Sequence, residues 1–523
     1  MRFTKSIVIT TVLLLFTHTF SYADTATFNT ELEKANKSVA TLSNETIKTK
    51  WYPQYHFAAP AFLISNPNAI IYHNNEYHLY YQQNPFEYND KKMYMGYAKS
   101  DDLLNWKDTK TVLAPSESYD KDSILTGSAI IDNNAVNIIY TGQSENKIKD
   151  KTEIHETQNL AISKNNTDFT KSANNPVIRI APHYSYLDFS SKDFRAPFVW
   201  KQSDRYYALV GTQYEKTKDG AVLLFKSKDL RNWVCINITA IGSKGEMGYM
   251  WESPNFAHID GQDVLMITSK GIKPHGNMFL NPTTSGYFKG KLDYNSGKFS
   301  QKGAFGLFDY GFDFSSPRVA KTKDGRNIII GSLDISDTDS PEKADNWSGI
   351  LSIPREIKIV NDKVIFKPVE ELKALRDDPV TMVEQAFTKE KEFNKIKGES
   401  YELETEVDLT KANNFSIDLR TNATQKTVLS YDKTNKILKL DRDNSGQNLK
   451  GQREAKLSLD QNNILNLHIF VDKSSIEVFA NDGHVVMSSR IYPDNNANGI
   501  KFNSDGDVIL KVLNFYKLKS TKI

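Results

Sequence analysis

Residues 96–106 read GYAKSDDLLNW, and residues 223–233 read LLFKSKDLRNW. In both, an apolar stretch reaches a serine, a short polar turn follows, and an aromatic closes the segment. Two looser copies are LAISKNNTDF at 160–169 and GYFKGKLDYNSGKF at 286–299. Aligning Ser100, Ser163, Ser227 and Gly290 gives spacings of 63, 64 and 63. A near-constant period with strand-like content signals radial or solenoid repetition. Short alternating strands recur between the copies, among them EYHLYYQQ (76–83), AVNIIYTG (135–142), RYYALVGTQ (205–213) and DVLMITSKG (263–271). Asn, Gly and Asp turns separate them. The span 45–357 holds close to five periods, within the ~4–8 four-stranded blades of a propeller. Such a fold gathers side chains from every blade around one axial pocket.

After Arg355 the texture changes. VEELKALRDD (369–378) suggests a short helix inside a linker over 358–383. From 384 to 523 the alternation returns without the repeat, as in LNLHIFVDKSSIEVFAND (465–482), which suits a separate antiparallel sandwich. The expected fold is therefore all-β: a five-bladed β-propeller followed by a C-terminal β-sandwich. Ahead of both, 24–44 reads as a polar arm, loose or helical. Residues 1–23 carry basic Arg2 and Lys5, an apolar run from Ile7 to Phe16, and Ser21-Tyr22-Ala23. That is the pattern of a signal peptide cleaved after Ala23, so a secreted or periplasmic protein without a membrane segment is expected after cleavage.

The 66 basic and 64 acidic residues balance, and no charge block argues for a nucleic-acid partner. The single cysteine, Cys235, allows no internal disulfide and lies in an alternating run that suits packing better than thiol chemistry. No His/Cys/Asp spacing suits a metal and no glycine-rich phosphate loop occurs, so neither metal nor cofactor is expected.

Eight motifs in order carry a family resemblance. They are YPQYHF (52–57), EYHLYYQQNP (76–85), LTGSAI (125–130), DFRAPFVW (193–200), YMWESPNF (249–256), DYGFDFSSP (309–317), WSGILSIPRE (347–356) and SIEVFANDGHVVMSSRIYP (475–493). Together they resemble glycoside hydrolase family 32, the retaining β-fructosidases: invertases, levanases, inulinases and sucrose-6-phosphate hydrolases. The resemblance runs from about Trp51 to the C-terminus and implies the same propeller and sandwich, with a fructoside or related glycan as partner.

It also exposes what is missing. Retaining hydrolysis needs two carboxyl groups about 5–5.5 Å apart, one as nucleophile and one as acid then base. The family nucleophile is the Asp of Trp-Met-Asn-Asp-Pro-Asn-Gly, which here reads Leu63-Ile64-Ser65-Asn66-Pro67-Asn68-Ala69. An amide, Asn66, stands at that position. The stabilising Asp of the family's Arg-Asp-Pro falls on Ala196, next to a retained Arg195. Only the acid/base glutamate survives, as Glu252. The same carry-over implies substrate-binding positions at Arg195, Gln82, Ser65, Leu63, Thr126 and Met95, the last in place of the Trp of the family's Trp-Gly-His. Asp309, Asp313 and Trp347 read as structural. Three functions follow: a catalytically impaired, fructoside-binding member of the family; an active glycosidase with altered mechanism or substrate; or a non-catalytic propeller platform.

Overall fold

The computed structural model describes residues 19–89, 91–149, 151–181, 188–333, 339–447 and 449–522; most of the expected signal peptide lies outside them. Five sheets form the five blades. The first contains β1 (Phe62–His73), β2 (Glu76–Asn84), β3 (Tyr94–Ser100) and β4 (Lys107–Leu113). The second contains β5 (Ser123–Asp132), β6 (Ala135–Ile148), β7 (Lys151–Ser163) and β8 (Thr170–Lys171). The third contains β9 (Phe189–Gln202), β10 (Arg205–Tyr214), β11 (Asp219–Ser227) and β12 (Trp233–Ile241). The fourth contains β13 (Met250–Ile259), β14 (Gln262–Lys270), β15 (Thr283–Leu292) and β16 (Phe299–Leu307). β17 (Ser315–Lys321) and β18 (Asn327–Ser332) begin the fifth, β19 (Trp347–Ser348) leaves it, and β20 (Arg355–Val360) and β21 (Lys363–Pro368) finish it.

Sheet order follows chain order in every blade. The first strands β1, β5, β9, β13 and β17 pack against one another in a closed ring. β19 pairs in parallel with β1, Phe62 against Trp347 and Leu63 against Ser348, so the last blade is latched to the first. Gly349 is required there, because a Cβ would lie 2.0 Å from the Ile64 carbonyl oxygen.

The sequence repeat has a physical cause. Each copy is the turn from the third to the fourth strand of a blade. In the first, Asp102 accepts the backbone N–H groups of Leu104 and Asn105 at 3.0 and 2.8 Å, and Ser100 Oγ donates to it at 2.9 Å. Asp229 and Ser227 repeat this arrangement with Arg231 and Asn232, and Asn165 with Ser163 does so in the second blade. The residue after each acceptor, Leu103, Asn166 or Leu230, has a left-handed φ of 69°, 72° or 64°. The side-chain oxygen organises the turn.

The polar arm is part of helix α1 (Thr19–Thr46). It caps the outer edge of the first blade: Asn36 donates to the Thr111 carbonyl at 3.1 Å and accepts the Thr111 N–H at 2.8 Å, as a paired strand would. An exposed strand edge is thereby covered.

The expected linker is corrected by the structure. Residues 358–368 complete the outer hairpin of the last blade, 370–375 form a 3-10 turn, and the sandwich begins at Arg376. The outer hairpin of the fifth blade turns on Asn361-Asp362, both at positive φ, and lacks the Ser-x-Asp signature that marks the earlier turns. The sandwich is one continuous antiparallel sheet folded over its core: β22 (Arg376–Glu392), β23 (Tyr401–Lys411), β24 (Asn414–Thr421), β25 (Lys426–Asp432), β26 (Ile437–Asn444), β27 (Gln452–Lys456), β28 (Ile464–Asp472), β29 (Ser475–Ala480), β30 (Val485–Arg490) and β31 (Gly499–Leu518). The long β31 pairs with β24 at one end and β23 at the other, joining the two layers.

Buried charges join the domains. His56 lies between Asp472 and Glu477, 2.9 Å from each, and Arg355 reaches Asp309 at 3.0 Å and also Glu477. Asp313 holds Arg442 at 2.7 Å. Asp309 and Asp313 thus serve the interface, and Trp347 is fully buried with its Nε1–H on Thr49 at 2.9 Å.

Candidate active site

All five inner strands are interrupted at the same level. One extra residue enters β1 between Ile64 and Pro67, β5 between Ile124 and Gly127, and β9 between Arg195 and Phe198. The same occurs in β13 between Glu252 and Asn255, and in β17 between Ser315 and Arg318. In four blades the bulge carries a proline, after Asn66, Ala196, Ser253 and Ser316. Proline has no N–H for the ladder and tolerates such a break. Ala196, Ser253 and Ser316 take φ values of 62°, 46° and 46°. Bulges re-aim side chains, and here they aim them into one axial cavity of about 290 Å³.

Leu63, Ser65, Asn66, Gln82, Thr126, Arg195, Ala196 and Glu252 all line that cavity. Met95 does not. It is fully buried on the third strand of its blade, among Tyr80, Val112, Leu113 and Ile124, too far from the axis to reach the cavity. Met93, at the entrance to the same strand, lines it instead.

Asn66 Nδ2 donates to Gln82 Oε1 at 3.2 Å, and Thr126 Oγ1 donates to the same oxygen at 3.0 Å. One amide oxygen therefore ties the first two blades together at the cavity floor. On the opposite side, Arg195 is shared among three carboxylates. Its Nε lies 2.9 Å from Glu156, its Nη1 3.0 Å from Glu252, and its Nη2 contacts Asp193. Lys270, from β14, brings its Nζ to 3.0 Å from the same Glu252 oxygen.

This arrangement determines the protonation of the surviving glutamate. Burial on its own would raise the Glu252 carboxyl, but Arg195 and Lys270 outweigh it and hold the group below the usual glutamate range. Glu156 goes the other way: burial pushes it up to about 7 despite Arg195. Glu252 is thus an anion clamped by two cations, good for holding a hydroxyl and poor at releasing a proton.

Sequence reasoning missed Lys270, Glu156, Tyr88 and the serines at 253, 315, 316 and 348. The X-Pro dipeptides at 66–67, 196–197, 253–254 and 316–317 are a second repeat that points to several of them. Lys270 and Glu156 carry no motif; the pairing of β13 with β14 within the fourth blade brings in Lys270, and the packing of the second blade on the third brings in Glu156. Cys235 is half-buried, and burial pushes its thiol up to about 11, away from reactivity. Glu402, Glu404 and His468 converge on the sandwich, because Glu404 and His468 are register partners. The Arg376 guanidinium already sits 2.6 Å from both carboxylates.

Comparison with known proteins agrees with this geometry. Residues 56–368 match "Glycosyl hydrolases family 32 N-terminal domain" and residues 371–517 match "Glycosyl hydrolases family 32 C terminal". The chain is 32% identical over 485 residues to a sucrose-6-phosphate hydrolase of Zymomonas mobilis, covering 88% of this chain and 91% of that protein. It is 33% identical over 464 residues to the Escherichia coli sucrose-6-phosphate hydrolase, covering 88% and 93%. The solved Bombyx mori GH32 beta-fructofuranosidase BmSUC1 superposes with a TM-score of 0.81 at 26% identity, covering 94% of this chain and 99% of that one. A variant of the same silkworm protein is known in complex with sucrose.

Proposed function

The chain belongs to glycosyl hydrolase family 32, and on that premise we propose that it is an exported protein that binds β-fructosides of the sucrose or fructan class and hydrolyses them poorly or not at all. The observation that carries this reading is the clamped Glu252. Hydrolysis with retention requires an anionic nucleophile and a neutral acid. Asn66 supplies an amide where the first is needed. Arg195 and Lys270, each 3.0 Å away, hold the second as an anion. Ala196 contributes no carboxylate to steady an oxocarbenium-like centre.

Binding is supported by what the cavity keeps. Gln82, Thr126, Asn66 and serines 65, 253, 315, 316 and 348 present hydroxyl and amide groups around a space of about 290 Å³. Tyr88 adds an aromatic face at the same wall. These groups suit sugar hydroxyls without requiring a charged substrate.

The test uses the mature protein with sucrose, inulin and levan, measuring fructose release and calorimetric binding side by side. Binding without release supports the proposal. Fructose release at ordinary glycosidase rates that vanishes in Glu252→Gln would overturn it in favour of an active enzyme with altered chemistry. Neither binding nor release would leave the propeller as an interaction platform. Export is tested separately, by locating the protein and sequencing its mature N-terminus.

A further inference from the structure

Just past the bulges the inner strands carry Phe198, Asn255 and Arg318 as the first paired residues, Ser128 as the second, and Asn68 inside a further irregularity of β1 between Pro67 and Ala69. Two of these stitch neighbouring blades together. Ser128 Oγ accepts the Val199 N–H at 2.8 Å, joining the second blade to the third. Asn255 donates to the Pro317 carbonyl at 2.8 Å and accepts the Val319 N–H at 3.2 Å, joining the fourth to the fifth. The ring is left open around β1. Asn68 is 1% exposed, and neither Nδ2 nor Oδ1 meets a protein partner. Arg318, also 1% exposed, spends Nη1 on the Pro254 carbonyl at 2.9 Å and leaves Nε and Nη2 unpartnered.

A guanidinium buried this deeply is ordinarily neutralised by a carboxylate. Among the described residues no Asp or Glu lies within ion-pair distance of Arg318. Among the other fully buried arginines, Arg355 has Asp309 and Glu477 and Arg490 has Glu342, while Arg420, which has no carboxylate, donates to the backbone carbonyls of Ala497, Glu399, Asp472 and Lys473. Burial alone draws Arg318 down to about 9, still cationic at neutral pH. Its strand β17 packs directly beside β1, which carries Asn68. An uncompensated cation with two free N–H directions, next to a strand bearing a free amide donor, is a receptor for a small anion.

We propose that the propeller axis, beneath the sugar cavity, holds a chloride-class monovalent anion bound by Arg318 Nε and Nη2, with Asn68 Nδ2 as a further donor. The anion would bridge the fifth blade and the first, beside β1, where neither Asn68 nor the Nε and Nη2 of Arg318 meets a protein partner. It is structural and belongs to the fold rather than to the sugar site, so it stands whether or not the cavity binds fructosides.

The full mature chain would be crystallised in bromide and its anomalous difference map computed at the bromine edge. In parallel, unfolding temperature would be followed against chloride at constant ionic strength, with gluconate as the balancing anion too large for the axis. The expected result is a bromide peak beside Arg318 and a saturable rise in unfolding temperature of about 1 °C or more with chloride. Asn68→Asp, which builds a negative charge into the axis, should remove the chloride dependence while the protein still folds. Arg318→Met should remove both the peak and the dependence, and if it does not fold, the wild-type map and Asn68→Asp still decide the matter. Water density alone at Arg318, or equal stability in chloride and gluconate, would overturn the proposal.

Discussion

Restoring the two missing carboxylates, by Asn66→Asp with Ala196→Asp, loosens the hold of Arg195 but leaves Lys270 on Glu252, so the decisive perturbation is a third change, Lys270→Met. The backbone permits the second of these, since Ala196 sits at φ 62°, where Asp is tolerated better than most residues. At 3.0 Å an ammonium–carboxylate pair is worth ~1.4 kcal/mol under full water screening and ~5.5 kcal/mol at an effective dielectric of ~20. The Lys270 side chain keeps 32% of its surface exposed, so solvent screening brings the interaction toward the lower figure. That figure corresponds to roughly a tenfold change in the fraction of Glu252 carrying a proton. Methionine retains most of the aliphatic stem and removes only the charge. The expected outcome is a fructose-release rate from sucrose about tenfold higher in the triple variant than in the double. The alkaline limb of the kcat/KM profile should also move to higher pH, because it reports the acid in the free enzyme. Carbon NMR of the Glu252 carboxyl would follow the same titration directly. A triple variant no faster than the double, with an unmoved Glu252 titration, would refute the clamp.

Other consequences are smaller or purely structural. Gln82→Ala removes the acceptor shared by Asn66 and Thr126 and should weaken sugar binding in calorimetry by about 1–2 kcal/mol. His56→Gln should destabilise the protein by roughly 3–5 kcal/mol in denaturant titrations, since it leaves Asp472 and Glu477 buried without their shared cation. The pH dependence of the same cluster has a definite sign. Burial opposes ionisation, yet His56 holds Asp472, and Arg355 with His56 holds Glu477, below their usual range. Their contribution is complete above about pH 4 and is lost as pH falls through the depressed folded values. Burial would lower His56, but the two carboxylates raise it; its contribution is complete below about pH 6.5 and fades as pH rises through the raised value. Thermal scans across pH should therefore show a mildly acidic optimum, and His56→Gln should flatten the alkaline side. Asp102→Ala removes the acceptor for two backbone N–H groups in the first-blade turn and should cost about 1–2 kcal/mol, measured in the same denaturant assay.

What the sequence disclosed and what it withheld divide along a physical line. The Ser-x-Asp turns were visible because one side chain satisfies several local backbone donors, so the requirement sits within a few consecutive residues. The bulged cavity strands were half visible: Asn66, Ala196 and Glu252 follow from motif position, while the X-Pro period that unites them with Ser253 and Ser316 was there to be read. The outer hairpin of the last blade reads as linker because a two-residue Asn361-Asp362 turn needs no acceptor side chain. Lys270 and Glu156 were beyond reach for another reason. Each acts on a residue 18 or 39 positions away, and nothing local marks a charge whose partner is chosen by strand pairing, as for Lys270, or by one blade packing on the next, as for Glu156. Met95 fails by the same logic in reverse. Its neighbour Gly96 and the motif around it suggest a cavity residue, yet its place on a third strand puts it in the apolar layer between blades.

The altered positions are also coupled through Arg195. That guanidinium serves Glu156, Asp193 and Glu252 at once, and each extra anion at its rim divides its attraction further. A carboxylate in place of Ala196, immediately adjacent in the chain, would compete for it and lift the Glu252 carboxyl by like-charge repulsion as well. Both effects favour a protonated Glu252. With a methyl group there instead, Arg195 is free to hold Glu252, and Lys270 completes the hold from the neighbouring strand. On the proposed reading, the methyl group at 196 supplies no charge to stabilise a cationic transition state and, in the same stroke, favours the ionisation of Glu252. Asn66 compounds this, since an amide at the floor adds no negative field to push the glutamate toward its neutral form. On the proposed reading, Asn66 and Ala196 together leave Glu252 an anion that accepts a hydrogen bond rather than an acid that donates a proton. It follows that reverting Asn66 or Ala196 still leaves Lys270 beside Glu252.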